Sequence, residues 1–405
     1  MDQLKPSPAN SCPLTPLTFL QRAAVVYGDC PSVIHDSTTF TWSQTYARCL
    51  RVASAISSLG IQRGAVISVV APNIPAMYEL QFAVPMAGCV LNNINTRLDA
   101  RAVSTLLRHA ESRAVFLDSR FRSLVLESIS LFPPGRTQPP LLILIDNDDD
   151  NGDISGLNTY EDMVKKGNPE FHWVRPENEW DPMTLNYTSD SLINWSVPKQ
   201  PVYLWTLPMF HSNGWSYTWG MAAVGGTNIC LAKFDARVVY AAINRYKVSH
   251  MCGAPVVLNM LANHPRARPV EPPVELMMGG APLPPAVVLR TESLGFRVSH
   301  GYGMTEVAGV VVSCAWKSKW NTFPAAERAR LKARQGVRTL GLTEADVVDP
   351  ESGESVKRDG LPHYMVPKTV VVMAELPKTA TGKVQKFALR DIASQMGAVA
   401  TASRM

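Results

Sequence analysis

Short apolar runs alternate with amphipathic stretches between residues 41 and 117. Residues 41–59 place Trp42 and Ile56 on one stripe at helical spacing, and Gly60 follows as a stop signal. Residues 65–70 form a β-branched run of the kind found in buried parallel strands. The order continues with helix-like and apolar stretches at 77–87, 89–91, 100–109 and 114–117. This alternation predicts an α/β fold, a layered domain with a largely parallel sheet.

The same two patterns return in the second half of the chain. Apolar strand-like runs occur at 202–205, 274–278 and 296–299, and a helix-like stretch occurs at 238–246. A further arm at 346–353 runs into a turn, and little chain follows it to supply a partner strand. We therefore expect the layered fold to extend past residue 300, with chain missing near that arm.

The charge distribution argues against nucleic acid as a partner. The formal net charge of the 405 residues is only +5, and 46% of the residues are hydrophobic, which fits a globular protein with a large core. The basic residues are scattered apart from a run at 328–334, where their spacing indicates a solvated helix face.

The cysteines and the longest apolar stretches exclude other classes. The seven cysteines are scattered and contain no Cys-x-x-Cys pair, so we expect neither a disulfide framework nor a zinc site. Pro72, Pro75, Glu79 and Pro85 interrupt the best candidate for a membrane span. Neither a membrane span nor a secretory signal is expected.

The segment Gly301–Glu306 carries the strongest chemical signal. Its glycines permit close backbone approach, and Tyr302 offers an aromatic face. Thr305 supplies a hydroxyl for a phosphate, and Glu306 supplies a carboxylate for magnesium. These complementary groups follow the predicted strand at 296–299, so we expect a nucleotide to bind at the end of that strand.

Two weaker motifs accompany it. Gly280-Ala281-Pro282 follows the predicted strand at 274–278, and its small residues would let a nucleobase lie against the backbone, although Gly-Gly turns also close many ordinary strands. Lys383 follows Gly382 in a turn, where a lysine can bridge two developing negative charges; most isolated turn lysines are simply surface residues.

Taken together, these motifs resemble those of the AMP-forming acyl-CoA synthetases. That adenylate-forming superfamily includes the 4-coumarate-CoA ligases and luciferases, and the chain looks most similar to plant acyl-activating enzymes of the peroxisomal benzoate- and short-chain-acyl-CoA ligase type. The motifs that carry the resemblance occur in the family's order, at residues 187–189, 207–215, 280–282, 302–306 and 378–383.

The resemblance implies an adenylate-forming fold in two parts. Residues 1–360 would form a large, layered α/β domain that binds AMP. Residues 361–405 would be a remnant of the small C-terminal α+β domain, which carries the lysine turn and is too short for a core of its own.

The resemblance also implies roles for individual residues. His211, Asn213, Gly280 and Gly303 would line the acyl pocket for a carboxylic acid; the alternative for His211 is a buried structural histidine. Lys383, Thr305 and His211 would act in catalysis, and Glu306 would hold Mg²⁺. The cofactors would be ATP, Mg²⁺ and coenzyme A. The nucleotide, as ATP or AMP, would lie against Gly280, Ala281, Pro282, Gly301, Tyr302, Gly303, Met304 and Thr305.

Two departures from the family pattern bear on activity. The family's glycine-rich phosphate loop has no counterpart after Ser189, where the chain runs directly into Asp190. A longer segment is absent between Gly360 and Leu361, and it would include the ribose-binding aspartate and the hinge. Because the phosphates lack their cradle and Lys383 lacks a hinge, we expect little or no ligase activity.

These departures from the family pattern leave more than one function open. The first alternative is an acyl-CoA synthetase whose sequence here is a shortened splice form or a gene model with skipped exons. The second is a non-catalytic protein that binds an acid or AMP or pairs with a full-length copy. A serine hydrolase is disfavoured because no Gly-x-Ser-x-Gly elbow occurs, and a P-loop phosphotransferase because no Walker loop occurs.

The last three residues, Ser403-Arg404-Met405, resemble a peroxisomal targeting tripeptide. Such a signal would make the peroxisomal import receptor a partner and place the protein in the peroxisome. A three-residue match also arises by chance, and the alternative location is the cytoplasm.

Overall fold

The computed structural model describes residues 11–133, 138–145, 158–184, 195–265, 267–304 and 309–339. Within these ranges the strands are β1 Pro31–His35, β2 Thr38–Thr41, β3 Val66–Val70, β4 Val90–Asn93, β5 Ala114–Leu117, β6 Leu141–Leu144, β7 Asn158–Thr159, β8 Val202–Trp205, β9 Thr227–Cys230, β10 His250–Gly253, β11 Val274–Met278, β12 Phe296–Met304, β13 Gly309–Ser313 and β14 Val337–Arg338.

The helices of the same ranges fill the intervals between strands. They are α1 Leu17–Val26, α2 Trp42–Ser58, α3 Pro75–Met86, α4 Ala100–His109, α5 Arg122–Ser130, α6 Tyr160–Lys166, α7 Ser212–Val224, α8 Ala236–Tyr246, α9 Pro255–Ala262, α10 Pro285–Glu292 and α11 Ala325–Lys332, with short 3₁₀ turns at Ser119–Phe121 and Ser318–Thr322. No helix in the described ranges has the length and apolarity to cross a membrane.

The strands form two sheets whose inner strands run parallel, as predicted. The smaller sheet has the order β4-β3-β5-β6-β7, and all of its neighbours are parallel. The larger sheet has the order β14-β13-β12-β11-β10-β8-β9-β1-β2; it is parallel from β12 to β1 and antiparallel at both edges.

Alternation along single strands explains the layers. Ile67 and Val69 of β3 pack in one hydrophobic cluster with α2, α3 and α7, whereas Val70 packs in another with α4. Trp205 of β8 joins the first cluster, while Leu204 packs with α8, α9 and α10. Because successive side chains face opposite sides of a sheet, each sheet has helices on both faces, and the first cluster joins the two sheets.

Local signals set several boundaries where the sequence predicts them. The stretches predicted at 114–117, 202–205 and 274–278 coincide with β5, β8 and β11, and the helix at 100–109 coincides with α4. The helix predicted at 41–59 spans Trp42–Ser58. Its start is fixed by a capping box in which Thr41 and Gln44 each accept a backbone N–H of the other.

One strand ends five residues later than predicted. The strand predicted at 296–299 continues to Met304, so Gly301–Met304 belong to β12 rather than following it. The reason is a partner that local pattern does not reveal: residues 301–304 pair antiparallel with β13. The predicted arm at 346–353 and the proposed boundary at residue 360 lie outside the described residues.

A buried charged group ties three helices together. Glu79 of α3 is fully buried; it accepts hydrogen bonds from Nε of Arg48 at 2.7 Å and from the hydroxyl of Tyr160 at 2.6 Å. Arg48 also pairs with Glu161 of α6 at 2.6 Å. Because a buried carboxylate is costly unless it is paired, this network fixes α2, α3 and α6 in one arrangement.

We predict that Tyr160→Phe lowers the free energy of unfolding by about 1.5–3 kcal/mol, because it removes a hydrogen bond to a charged buried acceptor. The control is Tyr240→Phe, whose hydroxyl donates to the carbonyl of Leu261 at 3.1 Å. That variant should lose only about 1 kcal/mol. Urea unfolding measures the stability of both variants. Equal losses would show that the hydrogen bond from Tyr160 to the Glu79 carboxylate stabilises the protein no more than an ordinary hydrogen bond to a backbone carbonyl.

Candidate functional site

Two of the sequence motifs lie side by side at one edge of the larger sheet. In β10, β11 and β12, Gly253 pairs with Met278 and Met278 pairs with His300, so these parallel strands carry the residues that follow to the same edge. A Cβ built on Gly279 would lie 3.6 Å from the carbonyl oxygen of Gly301, which is van der Waals contact. The structure therefore brings the 280–282 turn and the 301–304 segment together.

Gly280 needs its glycine for backbone conformation. Its φ angle is +86°, in the region that other residues adopt only with strain. A Cβ at this position would meet nothing within 4 Å, so the turn borders open space. A flat ring has room to lie against the backbone here, as the nucleobase hypothesis requires.

Tyr302 presents an accessible aromatic face at the same edge. Its side chain is 42% exposed, and Met304, which is two residues along the strand and so on the same face, is 38% exposed. The Tyr302 hydroxyl donates to Sδ of Met304 at 3.5 Å. An exposed tyrosine beside an open glycine turn is a fitting surface for adenine, because stacking needs a free ring face.

Gly301 and Gly303 of β12 were expected to let a ligand approach the backbone, but it is a neighbouring strand that approaches them. A Cβ on Gly303 would lie 1.7 Å from the carbonyl oxygen of Gly309, and one on Gly301 would lie 3.1 Å from Val310. The close backbone approach predicted for this segment is thus made by β13, at an irregularity in the pairing between Tyr302 and Gly303. The proposed place of Gly303 in an acyl pocket stays a prediction.

His211 lies beyond the carboxyl end of β8, at the edge that also carries the 280–282 turn. It is the residue before α7, and its Nδ1 accepts the backbone N–H of Ser212 at 2.9 Å. A ring nitrogen that accepts a hydrogen bond carries no proton, so this contact favours the tautomer with its N–H at Nε2. Asn213 is the second residue of α7, but its side chain is not among the described positions.

Other predicted residues lie outside the described ranges. These are Thr305, Glu306 and Lys383, and with them the 187–189 segment and the C-terminal tripeptide. Among the residues that the structure does describe, no group of His, Cys, Asp or Glu side chains is arranged to hold a metal ion. The phosphate, magnesium and lysine roles stay predictions.

Cysteine chemistry has no basis near this edge. Cys252 on β10 is buried, and that burial raises the pKa of its thiol to about 12, so the thiol stays protonated and a poor nucleophile at neutral pH. All seven cysteines are free thiols.

Sequence reasoning missed Asn73, a buried residue in the turn after β3. Its side chain bonds the backbone of the loop that leads to His211. A signal was available, since a polar residue between Pro72 and Pro75 at the carboxyl end of a buried strand has little reason to be there without a partner.

The comparison with protein families gives an assignment. The family described as AMP-binding enzyme matches residues 20–192 and 190–362, which is most of the chain. The chain belongs to this family. The two matched stretches meet near residue 190, where the sequence lacks the expected phosphate loop.

Related proteins are CoA ligases and acyl-activating enzymes of plants. The probable CoA ligase CCL11 of Humulus lupulus is 60% identical over 395 residues, covering 89% of this chain and 69% of the relative. The probable acyl-activating enzyme 5, peroxisomal, of Arabidopsis thaliana is 57% identical over 389 residues, covering 89% and 70%. The resemblance to acyl-CoA synthetases and plant acyl-activating enzymes is confirmed.

The alignment with a third relative shows that internal segments of that relative have no counterpart in this protein. The 2-methylpropanoate–CoA ligase CCL4 of Humulus lupulus is 47% identical over 554 residues, covering 100% of both chains. This chain has 405 residues, whereas the alignment has 554 positions. At about 149 positions of the alignment, therefore, only the relative has a residue.

Solved structures confirm the fold. The benzoate CoA ligase from Burkholderia xenovorans LB400 superposes with a TM-score of 0.71 at 18% identity, covering 86% of this chain and 70% of that one. An anthranilate CoA ligase in complex with anthranoyl-AMP superposes with a TM-score of 0.72 at 17% identity, covering 86% and 68%. The adenylate-forming α/β fold expected from the sequence is confirmed.

We predict unequal effects of alanine at the two glycines. Gly303→Ala should lower the free energy of unfolding by at least about 2 kcal/mol, since its methyl group meets backbone that has to move. Gly280→Ala should cost about 1–2 kcal/mol, for its backbone conformation alone. Urea unfolding compares the two, and a Gly303→Ala protein as stable as the wild type would disprove the close approach of β13.

Proposed function

We propose that this chain binds a carboxylic acid and an adenylate at the carboxyl edge of its larger sheet, and that its ability to form acyl-CoA from them is weak or absent. The observation that carries the proposal is the proximity of the two segments: a Cβ atom placed on Gly279, the residue before the 280–282 turn, would lie 3.6 Å from the carbonyl oxygen of Gly301. Membership of the AMP-binding family supports it.

The adenine would stack on Tyr302 and lie against Gly280, Ala281 and Pro282. Three features support this: the exposed ring, the open space beside Gly280, and the proximity of the two segments. Gly301, Gly303 and Met304 complete the strand that presents the tyrosine. A purine stacked on one aromatic ring gains about 1–3 kcal/mol, which is an effect of about fivefold to 150-fold on affinity.

The carboxylic acid would lie near His211, with Asn213, Gly280 and Gly303 as further lining residues. The imidazole ring of His211 carries an N–H donor of the kind that suits an acceptor on the acid or the adenylate. Thr305 would contact the α-phosphate, Glu306 would hold Mg²⁺, and Lys383 would approach the carboxylate. ATP would supply the adenylate with pyrophosphate as leaving group, and coenzyme A the thiol that takes the acyl group.

The expected weakness of turnover follows from the absent positions. Backbone N–H groups of a glycine-rich loop normally hold the terminal phosphates, and Ser189 is followed here by Asp190 with no such loop. About 149 aligned positions of a CoA ligase have no counterpart in this chain. The same absence favours the second candidate, a non-catalytic protein that holds an acid or AMP, alone or beside a full-length copy.

The C-terminal tripeptide supports a peroxisomal location. Ser403-Arg404-Met405 would bind the peroxisomal import receptor, and one relative carries the word peroxisomal in its name. The alternative is the cytoplasm. Microscopy of a fluorescent fusion with the tripeptide free, compared with one that lacks it, separates the two locations.

We predict that AMP binds the chain and that Tyr302→Ala weakens this binding about tenfold or more, because the stacking face is lost. Isothermal titration calorimetry measures the affinities. The control is Tyr246→Ala, at the end of α8 and close to the opposite edge of the sheet, which should leave AMP affinity unchanged.

The same preparations should release pyrophosphate from ATP and a carboxylic acid at no more than background rates. Pyrophosphate release at rates comparable with those of a full-length CoA ligase would contradict the proposed weakness. Equal affinity for AMP in the wild type and the Tyr302→Ala protein would contradict the proposed adenine site.

A further inference from the structure

The side chain of Asn73 spans from one sheet to the other. It lies in the turn between β3 of the smaller sheet and α3, and it is only 6% exposed. Its Nδ2 donates to the carbonyls of Trp205 at 3.1 Å and Leu207 at 2.9 Å, and its Oδ1 accepts the N–H of Met209 at 2.7 Å. All three partners belong to the end of β8 and the loop that follows it.

The loop held by Asn73 is also held from its other side. A Cβ on Gly214 would lie 1.7 Å from the carbonyl oxygen of Met209, so α7 packs directly on the residue whose N–H Asn73 accepts. The N–H of Gly214 in turn donates to the carbonyl of His211 at 2.7 Å. The hydroxyl of Thr206 donates to the carbonyl of Cys252 on β10. The backbone from 206 to 211 is thereby fixed on several sides.

The orientation of the His211 ring depends on this backbone. Because its Nδ1 accepts the N–H of Ser212, the next residue in the chain, the ring direction follows the local backbone. A shift of the 205–209 loop would change the position and orientation of the His211 ring. Misplacement of a positioned group by about 1 Å can cost up to about a hundredfold in the reaction it serves.

We propose that Asn73 is a positioning residue for the carboxylic acid subsite, and that it acts by holding the loop 205–209 so that His211 keeps its place. This inference rests on the proposed function, since it assigns His211 to the acid. It assigns no contact between Asn73 and the acid, and it predicts no role for Asn73 in holding adenine.

The test compares acid and nucleotide affinity in the full chain, with benzoate and AMP as probes in calorimetry. Asn73→Ala should weaken benzoate binding about tenfold or more and leave AMP affinity within about twofold. The matched control is Asn93→Ala. Asn93 is 8% exposed and exchanges two hydrogen bonds with Gln81, but it is not bonded to the 205–209 loop. That variant should keep its benzoate affinity.

A conservative variant adds a readout that a merely structural role would not give. In N73D the carboxylate can still accept from Met209, but its second oxygen faces the carbonyls of Trp205 and Leu207. That surrounding raises the pKa of the introduced carboxyl, and its protonated form can donate again. Benzoate affinity of N73D should therefore recover as the pH falls from about 8 to about 5.5, whereas Asn73→Ala should show no recovery relative to the wild type.

A second measurement decides the inference without any ligand. The ring ¹H and ¹³C signals of His211 should move in Asn73→Ala, because the ring changes its surroundings, and should keep their wild-type positions in Asn93→Ala. Unchanged ring signals in Asn73→Ala, or equal losses of benzoate and AMP affinity in it, would overturn the proposal. If the wild type binds neither probe, the proposed function fails, and the ring signals alone decide whether Asn73 positions His211.

Discussion

The parallel pairing of β11 with β12 is the constraint on which the candidate site depends. Five consecutive residue pairs, from Val274–Phe296 to Met278–His300, hold the two strands in register. Each strand is followed or completed by one motif of the sequence, so this register fixes the two motifs at the same height on the sheet. A slip would separate the glycine turn from Tyr302 and move alternate side chains to the opposite face. The proposed adenine site therefore depends on a strand pair whose own side chains are mostly core residues.

The acid side of the site depends on a different contact, one that crosses between the sheets. The first hydrophobic cluster joins β3, α3 and α7 to β8 and β10, and Asn73 lies where these elements meet. Its amide supplies both donors and an acceptor to a loop that could not satisfy those backbone groups by itself. Nearby, Glu79 performs a comparable function for helices, since it links α3 to Arg48 and Tyr160. Polar side chains with complete sets of partners thus fix the arrangement of layers that apolar packing alone would leave less specific.

Much of the fold can be predicted from local sequence pattern. The short, mostly apolar runs predict β5, β8 and β11 to the residue, because a buried parallel strand has few polar positions. The proximity of the 280–282 turn and the 301–304 segment depends in addition on the parallel pairing of β11 with β12, which the structure shows. The roles of Thr305, Glu306 and Lys383 go beyond what the described residues test.

Contacts between distant parts of the chain are what the sequence does not reveal. Asn73 and Met209 are 136 positions apart, and nothing local indicates that they bond. The glycine at 303 suggested a ligand, yet its neighbour is the backbone of β13. Glu79 was noted only as a charge that interrupts an apolar run, whereas its burial depends on partners at residues 48 and 160. Each case needs the three-dimensional arrangement, because the physical cause lies in a partner and not in the residue itself.

The absence of the phosphate loop should affect the binding of ATP more than the binding of AMP. The elements proposed to hold adenine and the acid are present, while the loop that would hold the terminal phosphates of ATP has no counterpart after Ser189. The most direct measurement is a calorimetric comparison of AMP with magnesium-ATP on one preparation of the full chain. We predict that ATP binds no more than about threefold more tightly than AMP, because its β- and γ-phosphates find no cradle. ATP binding about a hundredfold tighter than AMP would contradict this, since it would show that another part of the chain replaces the missing loop.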